Sequence, residues 1–270
     1  MKKQNTFSPN HLLYVKSIKR ESCFIWIMRF LILFIAFGLW ELLAQLNVID
    51  SFITSYPSEI IITIKNLFAE NNLFYHICVT LYETLLGFII AVGLGYLIAL
   101  ILWWSERVRR ILEPYIVVLN SLPKIALGPV IIVWCGSGSK AIIFMAVLIG
   151  IIVAIITMLN GFLATDKNKI LLLKAMGASK IQILLKLVIP GSLTTLISML
   201  KISVGMAWVG SIMGEYLVSR AGLGYLIIYG GQVFKLDLVM AATVVLCLLA
   251  TGMYALVALL EKLLIKQSSK

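Results

Sequence analysis

TLLGFIIAVGLGYLIALILWW, Thr84–Trp104, carries no charged residue over a length that crosses the hydrocarbon core of a bilayer as a helix. Its apolar residues are continuous instead of alternating. That excludes a membrane β-barrel strand and leaves an α-helix whose backbone groups bond one another. Five further stretches share this character: Phe24–Leu46, Tyr115–Cys135, Ala141–Leu163, Leu193–Gly214 and Leu238–Leu260. Tyr115–Cys135 is the weakest of them, interrupted by Pro123, Lys124, Gly128 and Pro129. The run that begins near Cys23 is too long for the apolar part of a cleaved signal and lacks a small-x-small exit, so it reads as a retained first span. The expected fold class is all-α, a polytopic transmembrane helical bundle with six spans. Composition agrees: 61% of the chain is hydrophobic and 13% charged, against about 25% charged in a soluble domain.

The segments connecting these runs alternate sharply in their content of Lys and Arg. One side collects Lys2, Lys3, Lys16, Lys19, Arg20 and Arg29, then Arg107, Arg109 and Arg110, then Lys167, Lys169, Lys174, Lys180 and Lys186, then Lys262, Lys266 and Lys270. The other side has Lys65, Lys140, Arg220 and Lys235. The positive-inside rule places the richer side in the cytoplasm, with both termini there. The formal charge of +11 therefore reports topology, and nucleic acid is not an expected partner. Trp103 and Trp104 end the second span where an interfacial aromatic belt sits. Cys23, Cys78, Cys135 and Cys247 form no CxxC pair, and the only histidines are His11 and His76, so no metal-ligand set is expected.

One basic segment does not fit a bare bundle. Residues 164–191 read ATDKNKILLLKAMGASKIQILLKLVIPG, in which lysines punctuate Leu and Ile. Ile181, Leu184, Leu185 and Val188 recur at helical spacing, Gly177 suits a break between two short helices, and Pro190 is expected to stop the second. A solvated loop has no use for so many apolar residues. They must pack on the bundle, on lipid or on a partner.

The segment resembles the cytoplasmic signature of binding-protein-dependent ABC importer permeases, E-A-A-x3-G-x9-I-x-L-P. Gly177, Leu187, Ile189 and Pro190 fall at its Gly, Ile, Leu and Pro positions, while Leu171, Leu172 and Leu173 replace its acidic-Ala-Ala triplet. Further segments resemble the nitrate, sulfonate, taurine and thiamine-precursor subgroup. They are Trp40-Glu41-Leu42, Tyr56-Pro57-Ser58-Glu59, Leu86-Gly87-Phe88, Leu122–Pro129, Lys201–Trp208, Met213-Gly214-Glu215 and Ala221–Tyr225.

The resemblance implies the membrane subunit of an ATP-driven importer in a bacterial cell membrane. A cytoplasmic N-terminal segment at 1–23, a six-span permease domain at 24–262 and a tail at 263–270 are expected. Implied partners are cytoplasmic ABC ATPase subunits, an external solute-binding protein, a second copy of the chain and the lipid bilayer. The chain should bind no cofactor itself, ATP and magnesium belonging to the ATPase. Gly136–Lys140 lacks the G-x4-G-K-[ST] spacing and reads as a turn. Lys174, Ala175, Met176, Gly177, Ala178, Ser179 and Pro190 are the expected ATPase-coupling residues, in a coupling helix lying across the membrane surface.

Charges inside spans are costly and face the bundle interior or a wet path. Pro123, Lys124, Lys201 and Glu215 are thus candidates for the translocation path, with internal pairing as the alternative. Lys124 inclines the reading towards an anionic solute. Gly205, Gly210 and Gly214 give the fifth span a small-residue face for close packing. Ala221–Gly231 reads as a short helix at the outer mouth, and with Ser51–Asn72 as surface for the binding protein. A secondary transporter would more often show inverted repeats. A membrane enzyme needs clustered catalytic groups, and the acidic residues here are scattered singly.

Overall fold

The computed structural model describes residues 9–46, 48, 55–70 and 72–268; Lys2, Lys3 and Lys270 lie outside them, as do positions 51–54 and 71 of the Ser51–Asn72 stretch. The described residues fold into helices without a strand. They divide into two compact units, one up to Thr63 and one from Ile64 onward.

The first unit holds α1 (Pro9–Gln45) and the start of α2 (Pro57–Ala69). The expected boundary at 23/24 has no counterpart in secondary structure. No Gly or Pro follows Pro9 until Gly38, so nothing ends the helix before the apolar run begins. Glu41 in α1 accepts from the backbone N–H of Ser58 at 3.1 Å and from its hydroxyl at 2.5 Å. This carboxylate satisfies a first-turn donor of α2, which the helix itself leaves unbonded.

The second unit is built on α3 (Asn72–Trp104), α6 (Ser139–Leu163) and α10 (Leu193–Val218), with α6 packed against both others. Their approach is governed by small residues. A Cβ placed on Gly87 of α3 would lie 2.5 Å from the Ala146 Cβ, and one on Gly210 of α10 would strike the Ala146 backbone from the other side. One turn along, Gly214 would meet the Ile142 Cα at 2.9 Å. Gly205, expected on the same face, has no neighbour within 4 Å and takes no part in this contact. The buried hydroxyls of Thr84 and Ser211, 2.7 Å apart, tie α3 to α10 where no water is available.

Arg20–Gln45, Asn72–Trp104, Ser139–Leu163, Leu193–Val218 and Leu236–Leu263 are each long and apolar enough to cross a membrane. The last lies in α12 (Leu236–Ser268). The expected third span is not one helix. It is α4 (Glu106–Ser121) and α5 (Gly128–Cys135), bent by 86° across a 3-10 turn at Lys124–Leu127. Pro123 drives Leu122 to extended backbone, φ −65° and ψ 136°, which ends α4, and Pro129 sits in the first turn of α5 where no donor is needed. The pair still makes a crossing. Trp103, Leu163 and Lys180 share a cavity at one end of the bundle, whereas Tyr75, Ser139 and Val218 share one at the other. The chain must travel between those ends from Trp104 to Ser139, and with the bent pair counted as one crossing the described residues offer six candidate spans.

Gly210→Val should lower the thermal stability of the detergent-purified protein by about 1–3 kcal/mol, the usual scale of overpacking, with a fall in melting temperature. Gly205→Ala should leave it unchanged. Equal melting temperatures for wild type and Gly210→Val would contradict the packing described.

Candidate functional site

The basic loop folds as α7 (Lys167–Ala175) and α8 (Lys180–Ile183) joined by a tight reversal. Asp166 opens α7, its side chain accepting from the Asn168 N–H at 2.8 Å. Gly177 closes it at φ +81°, a conformation that costs an L side chain but not glycine. The Gly177 N–H reaches the Lys174 carbonyl at 3.0 Å and the Ala178 N–H the Leu173 carbonyl at 2.9 Å, the paired bonds of a Schellman ending. Leu173 and Ala178 pack together on the bundle, the apolar contact that accompanies such an ending. Ser179 then caps α8 through a reciprocal pair with Gln182, at 3.3 and 2.7 Å.

Pro190 does not stop the helix, contrary to expectation. A π-helical turn at Leu184–Val188 leads into α9 (Ile189–Gly191), and the helical path continues into α10. The wider turn is closed by the Ile189 N–H on the Leu184 carbonyl, one residue before the proline that has no N–H to give. The buried stripe lies on a neighbouring face to the one expected. Ile183, Leu184, Leu187 and Val188 face the core, while Ile181 and Leu185 of the expected stripe are exposed. At the tip, Leu171, Leu172 and Met176 are 68%, 61% and 75% exposed. Two of the three leucines in the acidic-Ala-Ala positions thus do nothing for the fold of this chain. Lys180 donates to the Trp104 carbonyl at the end of α3 and lies 5.9 and 4.9 Å from the ring centroids of Trp103 and Trp104.

Of the charges expected within spans, Lys124 stands half-buried at the first residue of the 3-10 turn, beside exposed Pro123, without a carboxylate partner among the described residues. Lys201 is paired, its ammonium 2.6 Å from Glu261 of α12 and 6.0 Å from the Tyr254 ring centroid.

Glu215 organises the end of the bundle opposite the basic loop. Its Oε2 accepts from the Gly224 N–H at 2.6 Å. Thr80 Oγ1 accepts from the Leu223 N–H at 2.8 Å and His76 Nδ1 from the Gly222 N–H at 2.9 Å. Three successive N–H groups at the start of α11 (Leu223–Gln232) are therefore held by side chains of α3 and α10. Gly222, at φ +111°, and Gly224 leave room for the carboxyl, which a Cβ at either position would strike. The Met213-Gly214-Glu215 and Ala221–Tyr225 segments are two halves of one joint.

Sequence reasoning missed Glu83, His76 and Thr80. α3 begins twelve residues before the charge-free run, so all three lie inside the helix. Glu83 is 1% and Glu215 2% exposed, two carboxyl groups buried on neighbouring helices. The signal available in the sequence was a glutamate one residue ahead of the uncharged stretch.

Residues 91–266, from the middle of α3 into α12, match the family described as the binding-protein-dependent transport system inner membrane component. The chain belongs to this family. Over 241 residues it is 26% identical to a permease of Bacillus subtilis (strain 168) named for aliphatic sulfonates transport, covering 89% of this chain and 87% of that one. The formylaminopyrimidine transport permease ThiX of Halalkalibacterium halodurans is 29% identical over 187 residues, 69% of this chain and 74% of that one. Among solved structures, an inward-facing form of the MetNI methionine ABC transporter matches with a TM-score of 0.58 at 19% identity, over 70% of this chain and 93% of that chain. This last likeness is one of fold. As a family member the permease is a multi-pass membrane component of an ABC importer and not an enzyme, ATP hydrolysis belonging to separate subunits. Its helices place the loop and the α11 joint at opposite ends of one bundle.

Glu215→Ala should free the start of α11. Each buried N–H left unbonded costs about 1–3 kcal/mol. With the native cysteines replaced, a Leu226→Cys probe on the buried face of α11 should become reactive to a maleimide in the Glu215→Ala background and stay protected in the parent. Equal protection in both would show that the cap does not hold the helix.

Proposed function

We propose that the permease forms the translocation path for a small solute of the sulfonate, taurine or pyrimidine-precursor type, delivered by an external binding protein and driven by cytoplasmic ATPase subunits. The observation that carries this reading is the α7–α8 reversal. It is held rigid by a Schellman ending and a capping box, rooted in the core through Ile183 and Val188, and tipped with apolar side chains that the chain itself leaves uncovered. Such an element transmits a push as rigid-body motion instead of absorbing it. Leu171, Leu172 and Met176 suit an apolar groove on an ATPase, where an acidic first residue would suit a basic one. ATP and magnesium belong in that subunit.

Within this reading the basic end is cytoplasmic, both termini lie there, and the membrane is the bacterial inner or plasma membrane. Residues 24–262 form the permease domain, with 164–191 as its coupling loop, and two copies of the chain line one path. The relatives named for sulfonate and formylaminopyrimidine transport support the solute class. The break between α4 and α5 supports a place for Pro123 and Lys124 on the path, since irregular backbone at membrane depth is tolerated where it lines protein or water. A lone ammonium there favours an anionic group on the solute.

Uptake into proteoliposomes holding the permease, its ATPase and its binding protein tests the assignment. Aliphatic sulfonates, taurine and formylaminopyrimidine form the solute panel, and transport of none of them would sink the solute class. Gly177→Val should cut solute moved per ATP hydrolysed by about tenfold, because a β-branched residue resists positive φ by well over 1 kcal/mol. Gly177→Asn, which tolerates that conformation, should restore most of it. Full coupling in the valine variant would remove the reversal from the transmission path. Lys124→Met should lower uptake of a sulfonate several-fold while binding-protein-stimulated ATP hydrolysis persists; unchanged uptake would take Lys124 off the path.

A further inference from the structure

The lysines and arginines that the sequence distributes for topology are brought together at one place by the fold. A cavity of about 690 Å³ lies between the base of the α7–α8 reversal and the corner where α3 turns into α4. Arg109, Lys167, Lys174 and Lys180 line it, from three separate segments, and the one carboxylate among its lining residues is Glu106. Glu106 is already engaged by Arg110 at 2.6 Å and by Arg109 at 3.8 Å. The cavity therefore keeps an excess of positive charge that no other carboxylate among the described residues pairs with.

Two features make it a prepared site and not a loose cluster. Lys180 is fixed in place by the Trp104 carbonyl and the two indole rings, so its charge is not free to swing into water. Arg109 lines the cavity with its Nε buried and without an acceptor among the described residues. The guanidinium as a whole keeps 22% of its side chain exposed and only a 3.8 Å contact with Glu106, which leaves N–H donors open to an acceptor from outside the chain. The surroundings say which kind. Trp103, in the lining, is the residue type that settles at the membrane–water boundary, and α4 continues from Arg109 with exposed Ile111, Leu112 and Tyr115. A polar anion-seeking hollow at that level, followed by apolar surface running along a helix, matches a molecule with a phosphate at one end and hydrocarbon at the other.

We propose that this cavity binds the phosphate-bearing headgroup of an anionic phospholipid, with the acyl chains lying along α4. The lipid bridges Arg109 at the α3–α4 corner to Lys167 and Lys174 on α7, and so braces the base of the reversal against the spans. The site lies beneath the tip, on the side facing the bundle, and leaves Leu171, Leu172 and Met176 uncovered.

Native mass spectrometry of the permease–ATPase complex, after graded delipidation from mixed phosphatidylglycerol and phosphatidylcholine, reads the site directly. Wild type should retain phosphatidylglycerol in preference to phosphatidylcholine. Arg109→Gln and Lys167→Gln should each weaken that retention about fivefold, the effect of removing one basic group from an anionic lipid surface. The ATPase should remain bound in both. If Arg109→Gln fails to assemble, Lys167→Gln, an exposed residue in the first turn of α7, carries the test alone. Equal retention of the two lipids, or retention untouched by Lys167→Gln, overturns the proposal. Release of the lipid by millimolar inorganic phosphate would make this a site for a soluble anion. Loss of the ATPase with the lipid still held would make it a protein-docking surface; either result also overturns it. Because ATPase binding and lipid retention are read separately, failure of the proposed assembly and failure of the lipid site give different spectra.

Discussion

Ala146 sits at the point on which the bundle depends. It is buried in α6 between Gly87 of α3 and Gly210 of α10, and neither neighbour has room for a Cβ. In a bilayer the lipid tails are as apolar as the helices, so association has to come from close packing and from bonds between polar groups. The glycines supply the first. The Thr84–Ser211 hydroxyl pair supplies the second, one to three residues from the same contact. Because α3, α6 and α10 are drawn together there, the loops at their two ends are set at fixed places in one frame.

At each end that frame is extended by satisfying the backbone of a helix that would otherwise start or stop unbonded. Glu215, Thr80 and His76 do so for α11. At the basic end Lys180 caps the carbonyl terminus of α3, and the Schellman ending closes α7. At α11, where Glu215, Thr80 and Leu223 are buried, an unbonded donor would be expensive and side chains stand in. Within the first unit Glu41 does the same for α2. Several segments that mark the family resemblance turn out to be the two partners of one such contact: Trp40-Glu41-Leu42 with Tyr56–Glu59, and Met213-Gly214-Glu215 with Ala221–Tyr225. Glu215, read from the sequence as a candidate for the path, holds a helix in place.

The reversal at Gly177 and the break at Pro123 share a logic. In each, a residue with a restricted or unusual backbone stops one helix, and capping groups start the next within a few positions. The first leaves a rigid apolar tip outside the bundle. The second leaves an ammonium on a stretch of 3-10 backbone. α6 and α10 pack against the core-facing residues of the first and against α5 beyond the second.

The sequence alone determined the class of the protein, because an uncharged run such as Thr84–Trp104 has few physical options, and the bias of Lys and Arg across six runs marks the two ends. It also disclosed the loop, since Leu and Ile between lysines demand something to pack on, and the reversal at Gly177, since few other residues accept its φ. Tertiary structure decided what depends on distance. Whether Pro123 bends a span or splits it by 86° follows from how α5 lies against α6 and α10. Which of two helical faces, that of Ile183, Leu184, Leu187 and Val188 or that of Ile181, Leu184, Leu185 and Val188, turns inward is decided by the core it packs on, since both have a helical period. Lys201 and Glu261, sixty positions apart, meet only because their helices do. The basic loop was legible as a marker of topology. Only the fold shows that three of its lysines, with Arg109, surround one hollow.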